Sequence, residues 1–114
     1  MSKVKKVKMT PLQLEVVSRR FSALSEPSRL ALLQALQDGP QSVTHLMEVC
    51  ALKQANVSKH LGILHEHQLV RRKRDGNTVR YEISDPMVFA LCELVCGKIQ
   101  RDALEASALF HPEI

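Results

Sequence analysis

The chain has 114 residues, of which 45% are hydrophobic and 25% charged, and a formal net charge of +4. This size and composition fit one globular domain and argue against wholesale disorder. They also exclude a membrane-spanning protein, because no apolar run approaches the roughly 20 residues that a bilayer requires. The positive charge favours a polyanionic partner.

The cysteines and the start of the chain predict a cytoplasmic protein. There are 3 cysteines, and an odd number does not fit a secreted disulfide scaffold. Residues 1–9 mix lysine with valine and lack the apolar core of a signal peptide, so we expect a flexible basic leader. Residues 10–114 are then expected to form a single domain.

Two helices are predicted before residue 40. Thr10 is a suitable N-cap with Pro11 at the first helical position, and apolar residues follow at helical spacing as far as Leu24. Ser25-Glu26-Pro27 ends this helix and starts a second one. That second helix is rich in leucine and alanine, and Asp38-Gly39-Pro40 stops it.

Two further helices are predicted, with a short turn from about Ala51 to Lys53 between them. Ser42 or Thr44 is expected to cap the third helix. The fourth helix runs from residue 54 to about residue 67, with Val57, Leu61 and Leu64 on its inner side. The positions between these are polar and are expected to form an outer face.

The chain then changes to a period of two and becomes strongly basic. Asp75-Gly76-Asn77 lies between two β-type runs, Leu69–Arg74 and Thr78–Ile83, which predicts a two-stranded hairpin. Ser84-Asp85-Pro86 ends the hairpin and starts a fifth helix with a long apolar stripe. The tail from Leu104 is expected to extend this helix to His111-Pro112.

A helix-turn-helix followed by a basic hairpin predicts a DNA-binding site. A helix fits the major groove and must offer hydrogen-bonding groups to base edges, while cations on an adjacent hairpin can reach phosphates or the minor groove. The candidate contacts on the fourth helix and just before it are Lys53, Gln54, Asn56, Ser58, Lys59 and His60. The candidate contacts on the hairpin are Arg72, Lys73, Arg74 and Arg80.

Several segments resemble the ArsR/SmtB family of bacterial regulators: Phe21–Leu30, Gln54–Leu61 with its Ser-x-His-Leu core, Leu69–Arg72, Gly76 and Tyr81. The resemblance covers roughly residues 17–99. It implies a mainly α winged helix-turn-helix fold, with five helices and a small β-hairpin between the fourth and the fifth. It also implies a homodimer joined through the first and fifth helices, and a repressor that leaves its operator when an inducer binds or a thiol reacts.

The dimer has physical support as well. The first and fifth helices carry more apolar residues than so short a chain needs to cover itself. A two-fold dimer would set two copies of the fourth helix about one DNA turn apart, which predicts an inverted-repeat operator in double-stranded DNA.

Two metal sites familiar in this family are not matched. The thiol-rich site at the start of the third helix would fall at Ser42, Thr44 and Met47, which are not thiols. The zinc site of the fifth helix would need histidine where Asp85-Pro86-Met87 has methionine. No cofactor is therefore expected with certainty.

Cys92 and Cys96 remain as candidate sensor residues. They lie four residues apart and share one helix face. One interpretation makes both of them small packing residues. The other makes them a thiol sensor, open to oxidation, persulfidation or a thiophilic metal or metalloid. For Cys50 packing is preferred, although an exposed thiol there could couple oxidation to DNA release.

Two other classes of function remain as alternatives. An enzyme is disfavoured, because the sequence has neither a glycine-rich phosphate loop nor a Gly-x-Ser-x-Gly nucleophile motif. A protein-interaction module that kept the winged fold and lost DNA binding would not need the basic hairpin or the polar outer face.

Overall fold

The first two helices begin where their capping residues were predicted. The computed structural model describes residues 6–110, so residues 1–5 of the predicted leader and the predicted helix stop at His111-Pro112 lie outside it. Helix α1 is Pro11–Leu24, and Thr10 and Gln13 each accept a hydrogen bond from the other's backbone N–H. Helix α2 is Pro27–Leu36 and is capped by the Glu26 carboxylate.

The next two helices form the predicted helix-turn-helix. Helix α3 is Val43–Cys50 and α4 is Gln54–Glu66. Ser42 rather than Thr44 caps α3, because its hydroxyl accepts from the His45 N–H. Between the helices Ala51 adopts a left-handed conformation with φ of 53°, which ends α3 and turns the chain.

The sheet has one strand more than was predicted. The predicted hairpin is formed by β2 (Val70–Asp75) and β3 (Thr78–Ile83), with a tight turn at Gly76, whose φ is 62°. A short strand, β1 (Gln41–Ser42), pairs antiparallel with the other edge of β3 and gives the order β1-β3-β2. We call the β2–β3 hairpin the wing.

The core lies among α2, α3, α4 and the base of the wing. Leucine and valine dominate it, as expected for a chain with 4% aromatic residues. Its buried members are Ala23, Leu32, Leu33, Leu36, Leu46, Val57, Leu61, Leu64, Leu69, Val70 and Val88. The predicted inner side of α4 is therefore confirmed, whereas α1 contributes only Ala23 to these buried residues.

The predicted fifth helix is one helical run with a widened turn. It consists of α5 (Pro86–Leu91), a π-helical segment (Cys92–Cys96) and α6 (Gly97–Phe110), which we call together the C-terminal helix. Asp85 caps it by accepting from the Met87 N–H. The π-helical segment was not predicted, and the two cysteines are its first and last residues. No helix within residues 6–110 is long and apolar enough to cross a membrane.

Candidate nucleic-acid interface and thiol pair

The outer face of α4 is exposed and polar. Val57, Leu61 and Leu64 pack inward, and this orientation turns the residues between them to solvent. The predicted contact residues found exposed there or at the N-cap are Lys53, Gln54, Asn56, Ser58 and Lys59. Together they offer hydroxyl, amide and ammonium groups suited to base edges and phosphates.

The beginning of α4 also leaves backbone donors available. Within the described chain, the N-cap residue Lys53 makes no side-chain capping bond. Its carbonyl already accepts from the N–H groups of Asn56 and Val57. The N–H groups of Gln54 and Ala55 come earlier in this first turn, where a helix presents partial positive charge to an anion.

The prediction that His60 lies on this outer face is wrong. The residue is buried, at 9% relative exposure, and its Nδ1 atom lies 3.2 Å from Nη1 of Arg29. The reason is helical geometry: residue 60 lies three positions after Val57 and four before Leu64, so it belongs to the inward-facing side. That spacing was visible in the sequence and could have placed His60 correctly.

The wing carries cations on both of its faces. Cross-strand register pairs Arg72 with Tyr81, and Lys73 with Arg80. All 4 predicted wing cations, including Arg74, are exposed. Lys73 and Arg80 are therefore like charges placed directly opposite each other, an arrangement that destabilises a hairpin.

Arg71 differs from its neighbours on the wing because its charge is already balanced. Its Nε atom donates to Oε1 of Glu82, the residue directly opposite on β3. Arg71 therefore adds less available positive charge to the wing than its exposed neighbours do.

The wing and α4 are joined through a short and well-bonded connection. Gln68 adopts a left-handed conformation, with φ of 60°, between α4 and β2. The Leu69 N–H donates to the Leu64 carbonyl at 2.9 Å, and the Ser84 N–H donates to the Leu69 carbonyl at 3.1 Å. These bonds fix the base of the wing against the end of α4.

Cys92 and Cys96 are neighbours in space as well as in sequence. Interaction with the neighbouring Cys92 thiol is the main reason that the pKa of the Cys96 thiol lies above its usual value, with partial burial adding to it. Cys96 is exposed and Cys92 half-buried. The two sulfur atoms can therefore act together on one ligand.

Both thiols line a groove of about 650 Å³ between the C-terminal helix and the α1–α2 junction. The other lining residues are mainly apolar, among them Phe21, Leu30 and Val95. Gln37 lies at the groove too, and within residues 6–110 its buried Nε2 atom has no hydrogen-bond partner.

The remaining candidate ligand positions have structural roles. Cys50 is half-buried against the core, and burial raises the pKa of its thiol, which disfavours reaction. Asp85 is used as a helix cap and lies 3.8 Å from Arg20, while Met87 packs on the core. Among the described residues, no group of three or more His, Cys, Asp or Glu side chains is arranged to hold a metal.

Comparisons with known proteins agree with this geometry. Residues 24–73 match a family described as a helix-turn-helix domain. The probable mercury resistance operon repressor of Streptomyces lividans is 36% identical over 80 residues, which cover 70% of this chain and 64% of that protein. A transcriptional repressor SmtB homolog from Synechocystis is 34% identical over 88 residues, covering 77% and 67%. The matched segments thus span about two thirds of these curated relatives.

Solved structures show the same fold. The antimony-specific transcriptional repressor AntR superposes with a TM-score of 0.76 at 31% identity, covering 87% of this chain and 90% of that one. A homodimeric winged helix-turn-helix DNA-binding domain from Mycobacterium bovis, described as a possible ArsR-family regulator, gives a TM-score of 0.71 at 28% identity, covering 82% and 85%. These relatives are transcriptional regulators rather than enzymes. The chain belongs to the ArsR/SmtB family of winged helix-turn-helix transcriptional regulators.

Proposed function

We propose that this protein is a cytoplasmic, homodimeric repressor that binds an inverted-repeat operator and is released by chemistry at Cys92 and Cys96. The observation that carries the DNA-binding part is the pairing of an exposed polar α4 with a wing whose cations, Arg71 apart, have no acidic partner among the described residues. The mercury and antimony repressors among its relatives support the same class of function.

On α4, side-chain chemistry suggests distinct roles. Gln54 and Asn56 have amide groups that suit adenine, and Lys59 suits guanine or a phosphate. The Ser58 hydroxyl can both donate and accept a hydrogen bond, so it suits either an adenine or a guanine edge. Lys53, at the N-cap, lies beside the first-turn N–H groups and suits a backbone phosphate.

The wing residues Arg72, Lys73, Arg74 and Arg80 would supply most of the attraction to the DNA backbone. A phosphate between Lys73 and Arg80 would relieve the repulsion that their register creates. Contacts of this kind position a protein on the duplex without reading its sequence. Recognition of the base sequence would then depend on the side chains of α4.

The dimer is supported by surface that the single chain leaves uncovered. A standard interface covers about 800 Å² on each partner. The exposed apolar residues of α1 and the C-terminal helix are Leu12, Leu14, Val16, Phe21, Phe89, Leu94, Val95, Ile99 and Leu104.

The thiol pair is the best candidate for receiving the signal. Two neighbouring sulfur atoms at the edge of an apolar groove suit a soft, thiophilic metal or metalloid, and they also suit oxidation or persulfidation. Binding such an ion requires the thiols to lose their protons. We propose no resident cofactor: the metal or metalloid would be the signal.

The decisive experiment measures operator binding by the reduced protein. Fluorescence anisotropy with DNA from its own promoter should show tight binding that salt weakens steeply. Titration with Hg²⁺, Sb(III), polysulfide or diamide should release the DNA, with modification at Cys92 and Cys96 followed by mass spectrometry. The same titrations on Cys92→Ser/Cys96→Ser should leave the DNA bound, and Cys50→Ser is the matched control.

Each alternative predicts a different result. Release that persists in the double cysteine variant would make these thiols packing residues and leave another ligand, or none, as the signal. A reduced wild-type protein without preference for its promoter would contradict the repressor proposal and favour a protein-interaction module.

A further inference from the structure

A half-buried charged side chain, that of Arg29, connects α1, α2 and α4. Arg29, on α2, donates from Nε to the carbonyl of Ala23 at 2.6 Å and from Nη2 to the carbonyl of Ser22 at 3.3 Å. Both carbonyls lie in the last turn of α1, where the usual partners four residues ahead are missing, although the Ser22 carbonyl also accepts from the N–H and the hydroxyl of Ser25. The third donor group, Nη1, lies 3.2 Å from Nδ1 of His60 on α4.

The chemistry of this contact fixes the state of the imidazole. A guanidinium can only donate, so Nδ1 of His60 must accept and carry no proton. The ring proton is then on Nε2, which lies 3.7 Å from Oε2 of Glu26. The same carboxylate oxygen accepts from the Arg29 N–H at 3.0 Å as the cap of α2. We call Glu26, Arg29 and His60 the Arg29 cluster.

The position of the cluster gives it a consequence for α4. His60 follows directly after Ser58 and Lys59, which are exposed on the outer face. An apolar residue at position 60 would remove the acceptor that Arg29 contacts and would leave the rotation of α4 about its axis to nonpolar packing alone. Hydrogen bonds with defined directions select one arrangement of the buried groups.

We propose that the Arg29 cluster sets the orientation of α4 for operator recognition, and that His60 is a positioning residue rather than a DNA contact. This inference rests on the proposed function. Its chemical basis is the hydrogen bond that Nδ1 of His60 accepts from the Arg29 guanidinium.

Two substitutions at position 60 test the proposal. His60→Leu fills the site but removes the acceptor, so operator affinity should fall about tenfold, while affinity for non-specific DNA changes by less than about twofold. His60→Asn places an amide oxygen near the Nδ1 position and should restore operator affinity to within about threefold. Arg29→Lys keeps the charge but cannot serve all the acceptors, so it should resemble His60→Leu.

Thermal melting and non-specific affinity show whether each variant is folded. If His60→Leu does not fold, Arg29→Lys and His60→Asn give the comparison. Equal operator affinity in all folded variants would overturn the positioning role, and so would failure of the asparagine to rescue when non-specific binding is normal. A wild-type protein that shows no operator preference would instead contradict the proposed function itself.

A spectroscopic measurement tests the cluster without DNA. Long-range ¹H–¹⁵N spectra of the wild-type protein should show His60 as a neutral ring with its proton on Nε2. In Arg29→Met the ¹⁵N resonance of Nδ1 should shift toward that of an acceptor nitrogen without a hydrogen bond from arginine. A wild-type ring protonated on Nδ1 would exclude the Arg29 contact and overturn the inference even if operator binding is tight.

Discussion

Single residues decide how this surface attracts an anion. Lys73 and Arg80 face each other across the wing, whereas Arg71 donates to Glu82. Side chains of one chemical type, on one pair of strands, therefore differ in whether their charge is available. An exposed ion pair such as Arg71–Glu82 contributes little stability, so its main effect is to cancel charge.

This difference gives a prediction for Arg72→Gln. Loss of one phosphate contact should reduce the slope of log affinity against log salt by about 1 and weaken binding to all sequences alike. The matched control is Arg71→Gln, one residue earlier on the same strand, which should change the slope by clearly less. Equal slopes for wild type and Arg72→Gln would remove the wing from the interface.

For single residues, the sequence predicted exposure correctly wherever helical spacing determines which side chains face the core. Asn56, Ser58 and Lys59 lie outside because Val57 and Leu61 must lie inside. It failed for His60 because a polar side chain was assigned to the polar face by its chemistry rather than by its position. The His60 imidazole is buried against Arg29, which lies 31 residues away in the sequence. No local sequence pattern predicts that contact.

At the scale of elements, the helix starts were predictable because capping is local. Thr10, Glu26 and Ser42 each accept a hydrogen bond from a backbone N–H three residues ahead. The strand β1 was missed because it has 2 residues, too few for any alternation, and exists only through its pairing with β3. The π-helical segment was missed because it is a single turn of 5 residues inside a longer helix, which is too short to show a period of its own.

Left-handed residues occupy three turns around the helix-turn-helix and the wing, at Ala51, Gln68 and Gly76, and two of these turns predict opposite effects of substitution. Ala51, between α3 and α4, has φ of 53°, so Ala51→Gly should raise the free energy of unfolding by about 1 kcal/mol. Gly76, at the wing turn, has φ of 62° and open space where the methyl group of an alanine would lie. Gly76→Ala should therefore lower the free energy of unfolding by a similar amount, through backbone strain alone.

Urea denaturation at one fixed protein concentration would measure both changes, because the stability of a dimer depends on concentration. An unchanged m-value would show that the unfolding transition itself is the same. Destabilisation by Ala51→Gly would mean that contacts of the alanine methyl group outweigh the conformational strain.

For the whole molecule, the apolar surface predicts association. Ile99 is 62% exposed on α6, although it is apolar. Ile99→Glu should shift the protein toward monomer in sedimentation experiments and lower operator affinity more than non-specific affinity, because two half-sites no longer bind together. Gln100→Glu adds the same charge at a neighbouring exposed position and should leave the dimer intact. A monomeric wild type would contradict the proposed assembly.

The sequence indicated this surface through an excess of apolar residues in two helices, but it could not say which of them remain uncovered. Phe21 and Leu24 follow the same stripe of α1, yet Phe21 is 58% exposed while Leu24 packs against the core. The division depends on where α1 contacts α2, which is a property of the assembled fold.

The two-residue strand β1 has a mechanical consequence. Ser42 of β1 pairs with Arg80 of the wing and also caps α3, so this one residue ties the wing to the helix-turn-helix. In each subunit of the dimer, the wing and the helix-turn-helix should therefore move as one rigid body. A signal at the C-terminal helix would then release the operator by changing the distance between the two α4 helices of the dimer, while the angle between α4 and the wing within each subunit stays the same.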